Sequence, residues 1–409
     1  MTNFLADLNG ARPILVHSHL RWDFVWQRPQ QLFSRFAKSR DVLFVEEPMF
    51  LDDAGRPVLE IISPESRVYR AIPRLPSAYR DDDVAMHMAV RSLILDAVAP
   101  SGALGGHFDS PIQWFYTPMP APTMIGAFNE CAVVYDCMDE LAQFKFAPNE
   151  LVQRERFLLA RADVVFAGGV ALAQSKSRFH ENVHFFGCGV DVEHFGKARD
   201  EATPTHPALD DLSSPVLGYI GVIDERLDYA LIGKLAEEMP ESTIVMVGPV
   251  VKVDLRELPR NPNIRWLGQQ NYDVLPTFIK KFDVCLMPFA INKATEFINP
   301  TKTLEYMATG KPIVSTPVAD VVRNFTPIVA IADSLEEYVE AVRDALEHPR
   351  PELRARGIER TRAASWEGIT NEMSSLMDEA IEARSSRDRH ERVRGATSTV
   401  AERGVRRSP

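Results

Sequence analysis

Short apolar runs alternate with longer segments of helical periodicity along most of the chain. In a parallel sheet covered on both faces, each strand reads as a short apolar run, whereas a helix packed on such a sheet repeats its apolar residues every three or four positions. The alternation therefore predicts an α/β fold of doubly wound parallel sheets with helices on both faces.

The alternation falls into two similar series. The first predicts strands over 13–17, 41–46, 111–116, 132–136, 164–168 and 182–186, with helices over 30–37, 83–98 and 150–162. The second predicts strands over 216–220, 243–247, 264–268, 284–288, 313–315 and 328–331, with helices over 229–238, 272–281, 302–309 and 335–347. Two such series predict two Rossmann-like domains, each built on its own sheet.

The segments between and after the two series indicate the domain limits. Residues 201–214 are rich in Pro, Asp, Ser and Thr and lack periodicity, which is typical of a linker between a first domain over 1–200 and a second over 215–364. A helical pattern over 365–384 could cross back to the first domain. The basic tail over 385–409 has few apolar residues, so its composition predicts disorder.

The composition is that of an ordinary globular protein and narrows the choice of partners. At roughly 150 residues per domain, a length of 409 residues predicts two or three domains. Hydrophobic residues make up 45% and charged residues 25%, which excludes collagen-like and disordered chains. The 46 Lys and Arg against 57 Asp and Glu leave a net charge of −11, which disfavours nucleic acid and favours small-molecule partners.

The cysteines and the beginning of the chain indicate a reducing compartment. Cys131, Cys137, Cys188 and Cys285 form no C-x-x-C pair, so buried structural thiols are favoured over a zinc site. Residues 1–15 lack the positive start and unbroken apolar core of a secretory signal, and no apolar run approaches the roughly 20 residues of a membrane span. These features predict a cytoplasmic protein.

Several segments carry a resemblance to a known family. They read PVLGYIGVIDERLDY from residue 215, NIRWLGQQNYDVLPTFIKKFDVCLMPF from residue 263 and NPTKTLEYMATGKPIVSTP from residue 299. In this order they resemble the nucleotide-binding domain of GT-B glycosyltransferases, and most of all the family-four group that builds bacterial surface polysaccharides. The segment HSHLRWDFVWQRPQQLFSRFA from residue 17 is similar to teichuronic-acid-type glycosyltransferases of that group. The resemblance extends over residues 12–380 and implies two Rossmann-like domains facing a cleft.

The predicted strand ends and the resemblance together indicate a nucleotide-sugar site in the second domain. Gly221 follows a predicted strand at the edge where ligands bind open parallel sheets, and Arg226 in the next loop could reach a phosphate there. The alternative for Arg226 is a solvated side chain paired with Asp224, Glu225 or Asp228.

A predicted helix start supplies a second phosphate site. Asn299 and Thr301, with Pro300 in the first turn, form a helix N-terminal signature whose free amides and dipole favour an anion. Lys302 adds a full positive charge, and the resemblance implies that Glu305 binds the ribose diol. The alternative for Glu305 is an ion pair with Lys302 within the helix.

One glutamate of the family pattern is missing. Many family-four enzymes carry two glutamates with seven residues between them, but the residue eight positions before Glu305 is Phe297, with Glu296 one place further away. Either Glu296 supplies the carboxylate, or Asn299 and backbone amides contact the sugar; the second interpretation is slightly favoured.

The segment after the first predicted strand offers contacts for a sugar or an acceptor. His19, Arg21, Trp22 and Asp23 provide a ring nitrogen, a charge, a stacking surface and an acceptor oxygen. Trp22 could instead belong to the core, and His19 could be a hydrogen-bonded structural histidine. The glycine-rich loop that is usual here in the family is absent.

Two further carboxylates follow the predicted strand 132–136. Asp136 and Asp139 lie at the edge that should face the cleft, where a carboxylate could orient sugar hydroxyls or take the acceptor's proton. Asp139 is the stronger candidate, and its alternative is an N-cap of the following segment. The acidic run 81–83 is similar to a metal-binding D-x-D, but it precedes a predicted helix, so a cap and a solvated charge are expected.

Together these features favour a sugar-nucleotide-dependent glycosyltransferase with no metal and no cofactor. The expected donor is UDP- or GDP-linked and the expected acceptor is lipid-linked or polysaccharide, with Asp139, Arg226 and Lys302 acting at the reacting bonds. Retention of anomeric configuration is implied by the resemblance. Arg35 and Lys38 beside the predicted helix 30–37 could touch an anionic membrane, at the inner face of the plasma membrane, although a solvated face is favoured.

Other functions remain open from the sequence. A nucleotide-sugar 2-epimerase would share the architecture but need no acceptor, and a non-catalytic GT-B scaffold would keep the fold alone. An NAD-dependent Rossmann enzyme is disfavoured because no predicted strand is followed by G-x-G-x-x-G.

Overall fold

The fold was analysed in a computed structural model of the chain. The structure describes residues 11–52, 55–62, 66–144, 147–293, 295–296, 298 and 300–405, and over 391–405 it describes the backbone alone. Within these residues the chain forms two parallel-sheet domains.

The first sheet has nine strands among the described residues. In chain order they are β1 (Ile14–His17), β2 (Val42–Val45), β3 (Met49–Leu51), β4 (Val58–Ile62), β5 (Val68–Pro76), β6 (Ile112–Phe115), β7 (Ala132–Cys137), β8 (Val164–Ala167) and β9 (Val183–Phe185). They lie in the order β3-β5-β2-β1-β6-β7-β8-β9, and β4 pairs with β5 as the antiparallel member. Every residue of β1, β2 and β6 is buried, as expected for strands covered on both faces.

The second sheet has six parallel strands in the part of the chain that is described. They are β10 (Val216–Ile220), β11 (Thr243–Val247), β12 (Ile264–Trp266), β13 (Val284–Met287), β14 (Ile313–Ser315) and β15 (Ala330–Ile331), in the order β12-β11-β10-β13-β14-β15. The strand order reverses at β1 in the first sheet and at β10 in the second. Ligands of open α/β sheets bind outside the carboxyl ends of the strands at such points.

Helices cover both sheets. The first domain contains α1 (Arg28–Phe36), α2 (Asp83–Val98), α3 (Ala121–Met124), α4 (Leu151–Leu159) and α5 (Val170–Lys176). The second contains α6 (Val192–Gly196), α7 (Tyr229–Glu238), α8 (Leu275–Lys281), α9 (Lys302–Thr309), α10 (Ala319–Phe325), α11 (Leu335–Glu347) and α12 (Pro351–Arg362), and the chain continues into α13 (Trp366–Val405). Helix α9 ends at Gly310, whose φ of 69° is the left-handed conformation that favours glycine at a helix end.

Helix α13 returns to the first domain. It buries four apolar side chains in the first-domain core: Trp366, Met373, Met377 and Ala380. Trp366 packs closely against Gly189, which lies just before the chain enters the second domain. There is no room for a side chain at Gly189, since a Cβ there would lie 2.6 Å from the Trp366 ring. The second domain is therefore an insertion between the first domain and its last helix.

The passage between the domains lies earlier than the linker over 201–214 that the composition predicts. Val190, Leu209 and Leu212 are already buried in the core of the second domain. The amide of Val190 donates to the carbonyl oxygen of Ala364 at 2.9 Å, so the two crossings run side by side. The polar composition of 201–214 reflects its exposed positions, while its leucines hold the segment on the second domain.

The end of the chain also differs from the prediction. Helix α13 continues to Val405, whereas the composition predicted disorder over 385–409; residues 406–409 lie outside the described residues. Arg384 and Arg387 donate hydrogen bonds to Asp163 of the first domain. Arg, Glu and Ala also have high helix propensity, so this segment can be helical without an apolar face.

Strands β3, β4 and β5 are absent from the sequence-based prediction. Strand β5 contains Pro73 and Pro76, which argue against a strand interior because proline lacks the amide donor. Strand β4 lies at the sheet edge and is partly exposed, so it does not read as a buried apolar run.

Candidate active site

A cleft between the domains lies at the carboxyl end of β10. One lobe, of about 150 Å³, is lined by the end of β10 and the start of α9 from the second domain, and by residues before α1 and after β7 from the first. A second lobe, of about 300 Å³, shares five wall residues with it: Gln27, Met138, Asp139, Val222 and Arg226. The cleft therefore opens at the switch point of the second sheet, where a ligand is expected.

Lys302 reaches the end of β10 because Gly221 has no side chain. A Cβ on Gly221 would lie 2.0 Å from Cε and 2.4 Å from Nζ of Lys302. Gly221 also has a φ of 150°, a conformation that residues with a side chain rarely adopt. The ammonium group thus lies against the backbone at the switch point, 5.4 Å from the centre of the Tyr219 ring.

The charge of Lys302 has no counter-ion among the described residues. Burial, and then the nearby charge of Arg226, lower the pKa of Lys302, although Glu305 and Asp224 oppose them. The intrahelical ion pair with Glu305 that the sequence leaves open does not form within that part of the chain. An anionic ligand would stabilise this half-buried ammonium.

Arg226 is paired and still lines both lobes. Its Nε lies 2.9 Å and its Nη2 2.7 Å from the carboxylate of Asp224. Burial disfavours its charge, but the hydrogen bonds and charge of Asp224 outweigh burial and raise the pKa of Arg226. The ring of Phe144, from the first domain, lies 5.8 Å from Cζ of Arg226. The ion pair of Arg226 with Asp224, which the sequence left as an alternative, is therefore present. It positions the guanidinium where the two lobes meet.

Glu305 lines the same lobe as Lys302 and is half-buried. Burial raises its pKa from the usual value of 4.5 to about 7, and the charge of Lys302 opposes this shift only in part. Thr301, which flanks the start of α9, also lines the lobe. A carboxylate, an ammonium and a helix start thus face one cavity.

The missing family glutamate is not replaced by Glu296. Glu296 is exposed and does not line either lobe. Phe297 and Asn299 lie outside the described residues, so the predicted contact of Asn299 remains a prediction. Ile298 and Pro300 line the lobe beside α9.

Asp139 is the first-domain carboxylate that lines both lobes of the cleft. Burial raises its pKa, and the charge of Arg226 across the cleft opposes this shift. The N-cap role that the sequence leaves open is not found, because the following turn over Leu141–Gln143 is flanked by Glu140 and has no side-chain cap. Asp139 is therefore available to a ligand.

Asp136 does not reach the cleft. It is fully buried, and Arg28 holds it through Nε at 3.0 Å and Nη2 at 2.9 Å. Arg28 also donates from Nη1 to the carbonyl oxygen of Phe186 at 2.9 Å. The prediction that Asp136 contacts sugar or acceptor is wrong, because both oxygens of its buried carboxylate accept hydrogen bonds from Arg28.

The segment after β1 is only partly in the cleft. His19 lines the second lobe, its Nδ1 is buried without a partner among the described residues, and burial together with Lys252 lowers its pKa to about 4. Arg21 instead pairs with Glu46 at 3.3 Å. That contact leaves Arg21 outside both lobes.

Trp22 and Asp23 are also outside both lobes and lie on a neighbouring groove between the domains. Trp22 packs edge-on against Phe44 at 5.1 Å, which is the core role that the sequence leaves open. Asp23 pairs with Arg70 at 2.6 Å. A buried carboxylate, the core and an arginine thus hold Arg21, Trp22 and Asp23 outside both lobes, and their predicted substrate contacts remain predictions.

Sequence reasoning misses two aromatic residues of the cleft. Trp26, rather than Trp22, lines the first lobe, and its ring lies 5.9 Å from that of Tyr272 in the second domain. Tyr272 receives a hydrogen bond from Nε2 of Gln31 at 3.0 Å. The sequence pattern does not predict the contact between Trp26 and Tyr272, because it depends on how the two domains face each other.

Lys252 is a further cleft residue that the sequence analysis does not name. It lies beyond the end of β11, lines the second lobe, and places Nζ 5.6 Å from the centre of the Phe144 ring. The rule that ligands bind at strand ends near the switch point could have found it, because β11 is a direct neighbour of β10.

The remaining predictions from the sequence concern charged surface groups and metal binding. Asp82 caps α2 by accepting a hydrogen bond from the amide of Ala85 at 2.9 Å, as expected for the acidic run. Arg35 pairs with Glu367 of α13 at 2.8 Å. Within the described ranges, no group of three or more His, Cys, Asp or Glu is arranged to hold a metal ion. In the same ranges, no helix combines the length and apolarity needed to cross a bilayer.

Comparison with known proteins identifies relatives in sequence. Residues 214–348 match the protein family described as Glycosyl transferases group 1. The Bacillus subtilis (strain 168) protein named "Putative teichuronic acid biosynthesis glycosyltransferase TuaH" is 27% identical over 265 residues. That match covers 61% of this chain and 64% of the relative, so it spans less than two thirds of the relative's length.

Comparison with solved structures identifies the fold. Sucrose-phosphate synthase from Thermosynechococcus elongatus superposes with a TM-score of 0.70 at 15% identity, over 91% of this chain and 100% of that one. A UDP-forming α,α-trehalose-phosphate synthase from Burkholderia xenovorans gives a TM-score of 0.67 at 13% identity, over 90% and 100%. The GT-B fold and the resemblance to family-four-like glycosyltransferases are confirmed.

Proposed function

We propose that the protein is a glycosyltransferase that moves a sugar from a UDP- or GDP-linked donor to a lipid-linked or polysaccharide acceptor. The observation that carries this proposal is the meeting of Arg226, Lys302 and Glu305 in one lobe at the carboxyl end of β10. Two cations and one carboxylate in this place suit a nucleoside diphosphate, which offers an anion and a ribose diol.

The two cations would stabilise the leaving diphosphate. Glycosyl transfer breaks the bond between the sugar and the diphosphate, so negative charge grows on the leaving group toward the transition state. Preorganised charges in a site that excludes water stabilise such charge more than water does. Lys302 lacks a counter-ion within the described residues, and Arg226 is held in place by Asp224, so both are ready for this role.

Glu305 and the start of α9 would bind the rest of the nucleotide. An ionised Glu305 can accept two hydrogen bonds from the ribose hydroxyls, and charge-assisted bonds of this kind are stronger than neutral ones. The start of α9, beside Thr301, directs its positive dipole end at the phosphates.

Asp139 faces these groups from the first domain. Its carboxylate could orient a sugar hydroxyl or accept the proton of the attacking acceptor hydroxyl, which requires hydrogen-bond reach. Its raised pKa is consistent with a carboxyl group that can take up a proton. His19, in the second lobe, lies on the same side as Asp139 and is a further candidate contact for the acceptor.

Finer features of the reaction are part of the same proposal. The family resemblance supports retention of anomeric configuration and transfer without a metal or a cofactor. The description of a structural neighbour as UDP-forming supports UDP as the donor base. A lipid-linked acceptor would bring the protein to the inner face of the plasma membrane as a peripheral protein.

A thermal-shift screen with UDP-, GDP-, ADP- and dTDP-sugars tests the donor. A ligand at 100 times its Kd stabilises the folded state by about 2.7 kcal/mol, so one nucleotide base should stand out. Lys302→Ala should abolish the shift, whereas Lys234→Ala, an exposed lysine of the same domain outside the cleft, should keep it.

Two results would overturn this function. One is the absence of a shift with every nucleotide sugar. The other is a shift followed by release of free nucleotide and a 2-epimerised sugar, which is the product pattern of an epimerase and requires no acceptor.

A further inference from the structure

A cavity beside the cleft is not used by the proposed donor chemistry. It has a volume of about 300 Å³ and lies in the first domain, between the ends of β1 and β2, helix α2 and residues 117–120. This volume lies at the lower end of the roughly 300 to 1,000 Å³ that is usual for small-molecule pockets. The cavity is therefore large enough to hold part of a substrate.

The surface that the cavity offers is largely apolar. Three methionines line it, Met86, Met119 and Met124, together with Phe50 and Val90. Methionine side chains are flexible and polarisable, so they adapt to irregular apolar ligands.

Most polar groups in the wall already have partners; the exception within the described residues is the exposed carboxylate of Glu47, at the border with the second lobe. Glu46 binds Arg70 at 3.0 Å, and Nε2 of His17 lies 2.9 Å from Oε1 of Gln113. Nδ1 of His87 lies 2.9 Å from the carbonyl oxygen of Asp83. A sugar in this cavity would lose its bonds to water and find few groups to replace them, which is unfavourable.

The two wall histidines are also uncharged near neutral pH. Burial lowers the pKa of His17 to about 4, although the hydrogen bond with Oε1 of Gln113 opposes this shift. Burial likewise lowers the pKa of His87, although Asp83 opposes the shift. Neither histidine therefore adds a charge that would disfavour an apolar occupant.

The cavity adjoins the reaction cleft. It shares four wall residues with the second lobe, Glu47, Thr117, Met119 and Pro148, and that same lobe contains Asp139 and Arg226. A molecule with an apolar group in the cavity can thus extend its polar end toward the residues that would act at the reacting bonds.

We propose that this cavity binds an apolar group of the acceptor, so that the acceptor is a lipid-linked molecule rather than a free polysaccharide. The inference rests on the proposed function, because it assigns the acceptor of that reaction. The apolar chain fills the space lined by Met86, Met119 and Met124, and the acceptor hydroxyl lies in the second lobe near Asp139.

Binding of alkyl β-glucosides to the full chain tests this proposal without any donor. Methyl, hexyl, octyl and decyl glucosides are titrated calorimetrically below their micelle-forming concentrations. Each methylene buried should tighten binding by about fourfold, since about 0.8 kcal/mol is gained per methylene. The gain should stop once the chain fills the cavity, and the stoichiometry should be one.

A variant that fills the cavity locates the binding site. Met86→Trp places a larger ring in the wall and should weaken octyl glucoside binding at least tenfold. Met88→Trp is the matched control, because Met88 is on the same helix but is 46% exposed and outside the cavity. It should bind octyl glucoside as the unmodified chain does.

Each result decides the proposal. Equal affinity for methyl and octyl glucoside would overturn the proposal and favour a polysaccharide acceptor. The same conclusion would follow if Met86→Trp and Met88→Trp weakened octyl glucoside binding equally. Titration of UDP and GDP into the same three proteins separates the two proposals. If neither nucleotide binds while the chain-length dependence persists, the donor function fails and the apolar site remains.

Discussion

The second-domain face of the cleft and the segment after β1 use charged residues in opposite ways. On the second-domain face, Lys302 and Glu305 form no ion pair within the described residues, and Arg226 is paired only within its own loop. In the first domain, Asp139 likewise forms no ion pair among the described residues, but Arg21 and Asp23, after β1 and outside both lobes, are neutralised by residues of the domain interior and edge. A cluster of charges at a strand end therefore indicates a ligand site only where the surrounding protein leaves those charges unmatched.

The difference follows from what surrounds each charge. Glu46, at the end of β2, is 3% exposed, and a buried carboxylate costs several kcal/mol unless cations compensate it. Arg70 and Arg21 supply this compensation. On the second-domain face, Gly221 leaves space for Lys302, and no described carboxylate closes on the ammonium.

Asp136→Ala should cause the largest loss, and it should be a loss of stability. Removing one partner of a buried ion pair leaves the other, here Arg28, as an uncompensated charge, which typically costs about 3–5 kcal/mol. Urea denaturation measures the change in the free energy of unfolding. As the control, Asp23→Ala removes a carboxylate that is 70% exposed and should cost no more than about 1 kcal/mol.

One result for Asp136→Ala would instead place Asp136 in the substrate site. That result is an unchanged free energy of unfolding together with a large loss of acceptor or donor affinity.

Arg226→Ala and Lys302→Ala should each lower kcat/KM by on the order of 10² or more, because both residues act on charge that grows in the transition state. The double variant should be worse than either single variant but less than additive, since the two groups share one diphosphate. Steady-state kinetics with the donor found in the thermal screen measures this effect. Lys234→Ala should keep the original rate.

Binding of the nucleoside alone should change little in these variants. If nucleoside affinity falls as far as nucleoside diphosphate affinity, or if both single variants keep full activity, the two cations do not act on the diphosphate.

Glu305→Gln should weaken nucleotide binding by about 1 to 3 kcal/mol, because the neutral amide cannot form charge-assisted bonds to the ribose. Calorimetric titration of the nucleoside measures this loss. A nucleoside affinity equal to that of the unmodified protein would remove Glu305 from the site.

The pH dependence gives a second test of Glu305. Its pKa is raised to about 7, so its carboxyl group ionises as the pH rises through that value. Affinity for a nucleotide sugar should therefore increase from pH 6 to pH 8 in the unmodified protein and stay level in Glu305→Gln.

Stability should show the reverse trend. Because the pKa in the folded state lies above 4.5, the folded protein binds more protons than the unfolded chain, and the contribution of Glu305 to stability is lost as the pH rises toward and through 7. Glu305→Gln should remove this part of the pH dependence, as followed by melting temperature.

Arg21→Ala should have the smallest effect. The arginine side chain is 41% exposed, and Arg70 still compensates the buried Glu46 at 3.0 Å, so the loss of Arg21 should cost about 0 to 1 kcal/mol. Donor KM and kcat should stay within about twofold of the original values. A tenfold fall in kcat/KM would show that the first-domain cluster acts on substrate after all.

The sequence predicts the second domain more completely than the first. Strands β10, β11 and β14 and helices α7, α9 and α11 begin and end where the pattern predicts, because continuous apolar runs and capping residues mark them locally. Gly221, Arg226, Lys302 and Glu305 are predicted for the same reason, since each lies at a strand end or helix start that the sequence itself marks.

The first-domain face could not be predicted in this way. The partner of Asp136 is Arg28, 108 positions away along the chain. The partner of Asp23 is Arg70, which lies on β5, a strand that was not predicted because it contains prolines. Residue type and spacing indicate that a carboxylate is present, but its availability depends on distant residues.

Hydrophobic periodicity and helix signals are local properties of the chain, so they sufficed to predict the two α/β domains, the positions of most strands along the chain and the residues that line the cleft at the end of β10. Which charges remain unpaired, the presence of Trp26 rather than Trp22 in the cleft wall, and the apolar cavity beside it follow only from the folded arrangement. Burial and electrostatic compensation are sums over neighbours from many parts of the chain, and those neighbours are brought together only by folding.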